Sequence, residues 1–243
     1  MKLWKSWTVA MKDFSIFRRK RYILYSLIAT PLILSILLPG SLLFTGVFSQ
    51  MPQEFSLLIN SEFTFFIILA GMLPTVIASY SFIGEKVERS LEPLLATPTT
   101  DGELLFGKCL AAFLPSIIST YIGAAIFIVF VDSWTYGQLG YLMMPNLNTA
   151  VILGLAAPLA CMLSVELNVI ISSRVNDIRS AQQLGGLVVL PLVGIFLLGE
   201  TGIVPIGVSY LLVISAILLI ADLILLFISR STFRREDILT KWK

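Results

Sequence analysis

The stretch GEKVERSLEPLLATPTTDGELLFGK, from Gly84 to Lys108, is an island of charge in a strongly apolar chain. It misses a phosphate-binding loop by one residue: Gly102, four residues, Gly107, Lys108, then Cys109 where Ser or Thr belongs. Three readings compete: a nucleotide site, a plain loop between membrane helices, or a handle for another protein. A phosphate loop needs a strand before it and a helix after it, glycines that let backbone N–H groups wrap the phosphates, and a hydroxyl for magnesium. Here TPTTD precedes the glycines, a long apolar run follows, and Cys109 is a poor magnesium ligand. The nucleotide reading fails on context.

Moving outward, the rest of the chain points to a membrane. Of 243 residues, 57% are hydrophobic and 13% charged, against about 25% charged in a soluble domain. Too little polar surface exists to cover a water-soluble globule. A helix needs about 20 apolar residues to cross the hydrocarbon core. Six such stretches are predicted: 22–46, 62–83, 107–131, 149–171, 182–198 and 206–229. The last two are separated only by GETGIVP, yet 180–229 would make a helix of about 75 Å. That is enough for two crossings of about 30 Å and a tight turn. The expected fold is therefore an all-α integral membrane protein, a single transmembrane domain over 1–243.

Charge sets the expected orientation. The N-terminus, 84–108, 172–181 and the C-terminus hold all 17 Lys and Arg, and 47–61, 132–148 and 199–205 hold none. By the positive-inside rule both termini are cytoplasmic. The first 21 residues carry Leu3, Trp4, Trp7, Met11, Phe14 and Phe17 at three- and four-residue steps, with Lys2, Lys5, Lys12, Asp13, Arg18 and Arg19 filling much of the rest. That pattern predicts an interfacial amphipathic helix rather than a cleaved signal. Residues 230–243 form a basic tail. Trp134, Tyr136 and Tyr141 on an outer loop, and Trp242 near the end, suit aromatic anchoring at the two interfaces.

The chain has no histidine, which removes the commonest general base and zinc ligand. Histidine-dependent membrane proteases and hydrolases are excluded, and neither a catalytic residue nor a metal ligand set is expected. Cys109 and Cys161 sit in or beside apolar segments and read as small hydrophobes rather than a disulfide.

The island itself is too long for a plain loop. Helix connections in bundles take about 2–8 residues, and this one takes about 25. Val87, Leu91, Leu94 and Leu95 repeat at helical spacing among Glu85, Lys86, Glu88, Arg89 and Glu92. Pro93 kinks or ends that helix. Thr100 or Asp101 then caps a new one, with Glu103 near its positive end. Over 84–106 a short amphipathic cytoplasmic helix, a sharp turn and re-entry are expected, the helix's apolar edge seeking the membrane surface or a partner protein.

These residues resemble the ABC type-2 permeases, the membrane subunits of a large class of exporters. The match runs through Glu85, Lys86, Glu88, Leu91, Glu92, Leu94, Leu95, Thr97, Pro98, Gly107 and Lys108, and departs from the frequent family pattern at Val87 and Arg89-Ser90. SSRVNDIRSAQQLGGLVVLPL, 172–192, is similar to the family's connection between its fourth and fifth spans. The resemblance implies an ATP-driven exporter of the cell (inner or plasma) membrane. It implies a coupling segment at Glu85, Lys86, Glu88, Arg89, Leu91, Glu92, Leu94, Leu95 and Thr97 that docks on a separate cytoplasmic ATPase. It further implies a second permease chain, identical or different. No cofactor is expected on this chain; ATP and magnesium belong to the partner, and no nucleic acid is implied.

Two acids are expected inside spans. Glu166 and Asp222 each lie eight residues before a basic residue, Arg174 and Arg230, so roughly 12 Å deep. Buried ionisable groups are functional candidates, but bonding to neighbouring helices, protonation or snorkelling to headgroups would also keep them there. Arg174, Asp177 and Arg179 form a polar turn, either a second ATPase contact or a locally bonded loop. Pro31, Pro74, Pro115, Pro158 and Pro191 fall one in each of the first five spans, as hinges or as bends for packing. The rival reading is a stand-alone secondary transporter or channel subunit built on Asp222 and Glu166. Against it, no pair of broken helices marks a midplane site.

Overall fold

The computed structural model describes residues 3–44, 52–87, 99–200 and 207–232. Among these the chain is helical, with no strand. Six helical stretches are long and apolar enough to span a bilayer: Arg21–Leu42, Phe55–Glu85, Asp101–Gln138, Leu147–Arg174, Ile178–Leu198 and Val208–Ser229. The chain is a multi-pass membrane protein. Its helices are α1 (Leu3–Arg19), α2 (Arg21–Phe44), α3 (Pro52–Val87), α4 (Asp101–Leu139), α5 (Leu147–Arg174), α6 (Ile178–Gly186), α7 (Val189–Glu200) and α8 (Val208–Thr232).

The second span, within α3, forms the buried centre, while the first, fifth and sixth leave most of their surface open. Phe63, Phe66 and Phe127 knit α3 to α4 with ring centroids 5.0–5.6 Å apart, contacts worth about 0.5–1.5 kcal/mol each beyond their burial. Alternate spans run parallel. Ser35 of α2 donates to the Gly123 carbonyl of α4 at 2.7 Å, and Ser119 reaches the Leu27 carbonyl farther down the same pair. Thr75 meets Ser164 and Ser79 meets Asn168 along α3 and α5.

Two helices outrun their apolar cores. α3 begins at Pro52, well before the expected residue 62, and α4 continues to Leu139, past 131. Packing between the overhangs explains it: Phe55 lies buried against Trp134, ring centroids 5.7 Å apart. Gly140 then stops α4 at φ 73°, its amide on the Tyr136 carbonyl, a left-handed stop that suits glycine. Asp132 accepts the Met143 and Met144 amides at 3.0 Å, and Asn146 caps α5 while donating to Asn60 at 2.6 Å.

Proline shapes two spans. In α5 a π-helical turn at Ile152–Ala156 stands just before Pro158, and the Ala157 amide reaches back to the Ile152 carbonyl. Pro158 has no amide to offer the preceding turn, and the wider turn relieves that carbonyl crowding. The fifth span is α6 and α7 joined through Leu187 and Val188, where tighter bonds run from Leu187 to Leu184 and from Leu190 to Leu187. Pro191, unable to donate, follows at once.

Of the helix, turn and re-entry expected over 84–106, the two ends fall among the described residues, and the cap expected at Thr100 or Asp101 is at Thr100. Glu85 to Val87 continue α3 without a break. Thr100 begins α4 in a capping box with Glu103, the Thr100 amide 3.1 Å from the Glu103 carboxylate. Residues 88–98 lie outside the described residues.

Candidate functional site at the charged end

α1 lies against the start of α4, and the near-motif at Gly107-Lys108 is the reason it fits. A Cβ at Gly107 would come 2.7 Å from the Ser6 carbonyl oxygen and 2.8 Å from the Val9 Cβ. The face of α1 turned inward is Ser6, Val9, Ala10, Asp13 and Phe17. Leu3, Trp4, Trp7 and Met11 face outward. The aromatic stripe read from sequence is therefore divided: its first four members are exposed, while Phe17 is core.

Lys108 has no exposed surface. Its Nζ donates to Asp13 Oδ2 at 3.3 Å and to the Ser81 carbonyl at 2.9 Å. It sits 3.2 Å from Glu85 Oε2, an ion pair by distance without hydrogen-bond alignment. It also stands over the Phe82 ring, 4.5 Å from its centroid. Lys12 donates to Glu85 Oε1 at 2.9 Å from the half-exposed side. Thus Lys12, Glu85, Lys108 and Asp13 form one chain of charge binding α1, the end of α3 and the start of α4. Burial pushes the Asp13 carboxyl up from its ordinary range, and Lys108 pulls it back down. Lys108 is thereby occupied by protein groups, which closes the phosphate-loop reading on geometry as well as context.

Glu85 is 3% exposed and turned toward Lys12 and Lys108. Its carboxylate ties the end of α3 to α1 and α4. Lys86 falls on α3, but its side chain lies outside the described residues, as do Glu88, Arg89, Leu91, Glu92, Leu94, Leu95 and Thr97.

The second polar turn is exposed at Arg174, Asp177 and Arg179. Asp177 does not use Arg174 as its partner. It caps α6, accepting from the Ser180 amide at 2.9 Å and the Ser180 hydroxyl at 3.1 Å. Those hydrogen bonds hold its carboxyl below the usual range. Arg174 ends α5, where positive charge complements the helix dipole.

Deeper in the bundle, Asn168 joins three elements. It donates to the Ser164 carbonyl at 2.8 Å and accepts from Ser79 at 3.1 Å, while Thr75 and Ser164 meet at 3.2 Å. All four residues are buried. A side chain at Gly185 of α6 would collide with the Asn168 amide, so glycine lets the fifth span close on this knot. In hydrocarbon such interhelical bonds are worth about 0.6–2 kcal/mol.

Glu166 of α5 and Asp222 of α8 are 3% and 2% exposed. They are buried in protein, not snorkelling outward. Among the described residues none of their four carboxyl oxygens has a hydrogen-bond partner, and Glu166 lies within the electrostatic reach of Asp222. Glu166 also lines a cavity of about 800 Å³. Cys109 and Cys161 are free thiols. Among the described residues no group of three or more Cys, Asp or Glu side chains gathers to hold a metal.

Asp13 and Asn168 are site residues that sequence reasoning passed over. A signal for Asp13 existed: it shares a face with Ser6, Val9, Ala10 and Phe17, small or apolar residues at helical spacing. Asn168 stands four residues after Ser164, in step with Thr75 and Ser79 on the partner span.

A model of the family described as ABC-2 family transporter protein matches residues 7–199, from within α1 to the end of α7. No curated protein matches the chain.

Proposed function

From the premise that this chain belongs to the ABC-2 transporter family, we propose that it is the permease subunit of an ATP-driven exporter, moved by a separate ATPase bound at its charged end. The observation that carries this is the extent of the family match, residues 7–199, which takes in α1, five spans and both polar connections. The distribution of all 17 Lys and Arg favours a cytoplasmic location for both termini and for those connections. α1, with Leu3, Trp4, Trp7 and Met11 outward, suits the headgroup layer of the cell membrane.

In this reading Lys86, Glu88, Arg89, Leu91, Glu92, Leu94, Leu95 and Thr97 form the ATPase-docking segment, with Arg174, Asp177 and Arg179 as a second contact. Charges around an apolar edge suit a reversible interface with a soluble protein. ATP and magnesium are held by the ATPase, and the working unit pairs two permease chains with two ATPases. The Lys12–Glu85–Lys108–Asp13 chain supports the coupling role, because it joins α3, α4 and α1 at the root of the segment. A pull on the segment then moves three helices together.

The test is purification of the tagged chain from its native cells in mild detergent. A stoichiometric partner with a complete phosphate-binding loop is expected, and the joint reversal Glu88→Lys with Arg89→Glu should release it or uncouple its hydrolysis from transport. A chain that purifies alone and moves ions in liposomes without ATP would overturn the proposal in favour of an ion-driven transporter built on Glu166 and Asp222.

A further inference from the structure

The cavity beside Glu166 lies among four helices, with Leu3 of α1 at its edge. Leu105, Leu110 and Phe113 of α4, Met162 and Val165 of α5 and Leu226 of α8 form its apolar wall. Thr100 and Asp101, at the charged end of α4, line it too. Its volume of about 800 Å³ falls in the range of small-molecule sites, about 300–1,000 Å³. The wall is mostly apolar, yet Glu166 belongs to it, its two carboxyl oxygens buried behind the surface and, among the described residues, without a hydrogen bond. Asp222, one helical turn before Leu226, stands outside the lining and is a second buried carboxyl without a hydrogen bond among the described residues. The nearby buried cation, Lys108, is already held by Asp13, Glu85 and Ser81. A carboxylate in such surroundings is costly; it takes up a proton or draws a positive charge to itself.

We infer that this cavity binds a lipophilic organic cation, its charge set against Glu166 with Asp222 behind, and its apolar body against α4 and α5. Phe113 in the same wall is an aromatic ring, a group that attracts cations. A neutral lipid tail would fill the apolar wall but leave both acids unmatched. That the cavity is where cargo enters rests on the permease reading; the binding itself does not.

The test uses the full chain, with any subunits that co-purify, in nanodiscs of zwitterionic lipid. Radiolabelled tetraphenylphosphonium is the probe, displaced either by methyltriphenylphosphonium or by neutral triphenylphosphine oxide. Saturable binding is expected, with the neutral competitor at least about tenfold weaker, a difference of about 1.4 kcal/mol. Glu166→Gln should weaken the cation by a similar factor, and Leu110→Trp should block the cavity. Equal displacement by the neutral compound, or unchanged cation binding in Glu166→Gln, would overturn the inference, as would absence of saturable binding. If Glu166→Gln fails to fold, the cation-against-neutral comparison on the native chain still decides. Cation binding by a chain that purifies alone and moves ions without ATP would sink the permease reading and leave this one standing; a coupled ATPase with no cation binding would do the reverse.

Discussion

Replacing Lys108 by Met tests whether the charged end is held together as described. The substitution keeps the length of the side chain and removes its charge. Lys108 makes two attractions at 3.3 and 3.2 Å, to Asp13 and Glu85. At an effective dielectric of about 20 each is worth roughly 5 kcal/mol before desolvation. Desolvation takes back several kcal/mol for each of the three ions. What survives is small, but the loss on cutting is not, because Asp13 and Glu85 stay buried, with Lys12 still bonded to Glu85. Removing one partner from a buried pair costs about 3–5 kcal/mol. In a chain of this size that lowers an apparent Tm by about 6–20 °C.

The pH dependence gives the effect a sign. Burial raises the Asp13 carboxyl above its unfolded value, and Lys108 restrains the rise. A raised acid favours the fold at low pH and loses that stability as pH climbs through the folded value. Without Lys108 the rise is larger, so Lys108→Met should fall further behind wild type as pH increases from the acid side toward neutrality and above. Adding Asp13→Asn should recover much of the loss. The assay is tryptophan-fluorescence melting in detergent over a pH series. A Lys108→Met protein that melts with wild type at every pH would refute the reasoning.

Two further outcomes follow from the hydrogen bonds. Asn168→Leu should cost about 0.6–2 kcal/mol and loosen α6 against α3 and α5, read as faster amide exchange at 181–186. Asp177→Ala removes the cap of α6. Since hydrogen bonds from Ser180 hold the Asp177 carboxyl low, its contribution is present above the ordinary carboxylate range and lost as pH falls through the lowered value. The protection factor of the Ser180 amide, its exchange measured against an unstructured amide at the same pH, should therefore fall in acid in wild type and stay level through that range in Asp177→Ala.

Six spans were legible from hydropathy, because apolar length is a local property of the chain. Their ends were not. α3 and α4 run on through polar residues because Phe55 and Trp134 meet across them, and nothing local in the chain announces a contact between residues 55 and 134. The same limit applies to the charged end. Gly107 and Lys108 stand out as a failed phosphate motif and as a family match, yet their purpose depends on Ser6, Val9, Asp13, Ser81 and Glu85. Glu85 looks like a surface charge in sequence because its neighbours are charged; the fold turns it inward onto Lys108. Glu166 and Asp222 were visible as misfits in apolar runs, but their shared neighbourhood required α5 and α8 to pack side by side.

The π-helical turn at Ile152–Ala156 has a consequence for α5 as a whole. The helix is tied to α3 at both ends, through Asn146 with Asn60 above the turn and through Ser164 and Asn168 with Thr75 and Ser79 below it. Each residue of an α-helix advances the phase by about 100°, and a π turn accommodates one residue more than the surrounding helix. The turn thus acts as a phase shifter between two fixed ends. Deleting one residue there would straighten the helix and swing its lower half about the axis, carrying Glu166 away from its cavity and Asn168 away from Ser79. The setting of the buried acid is in this sense recorded in a stretch of backbone more than two turns distant from it.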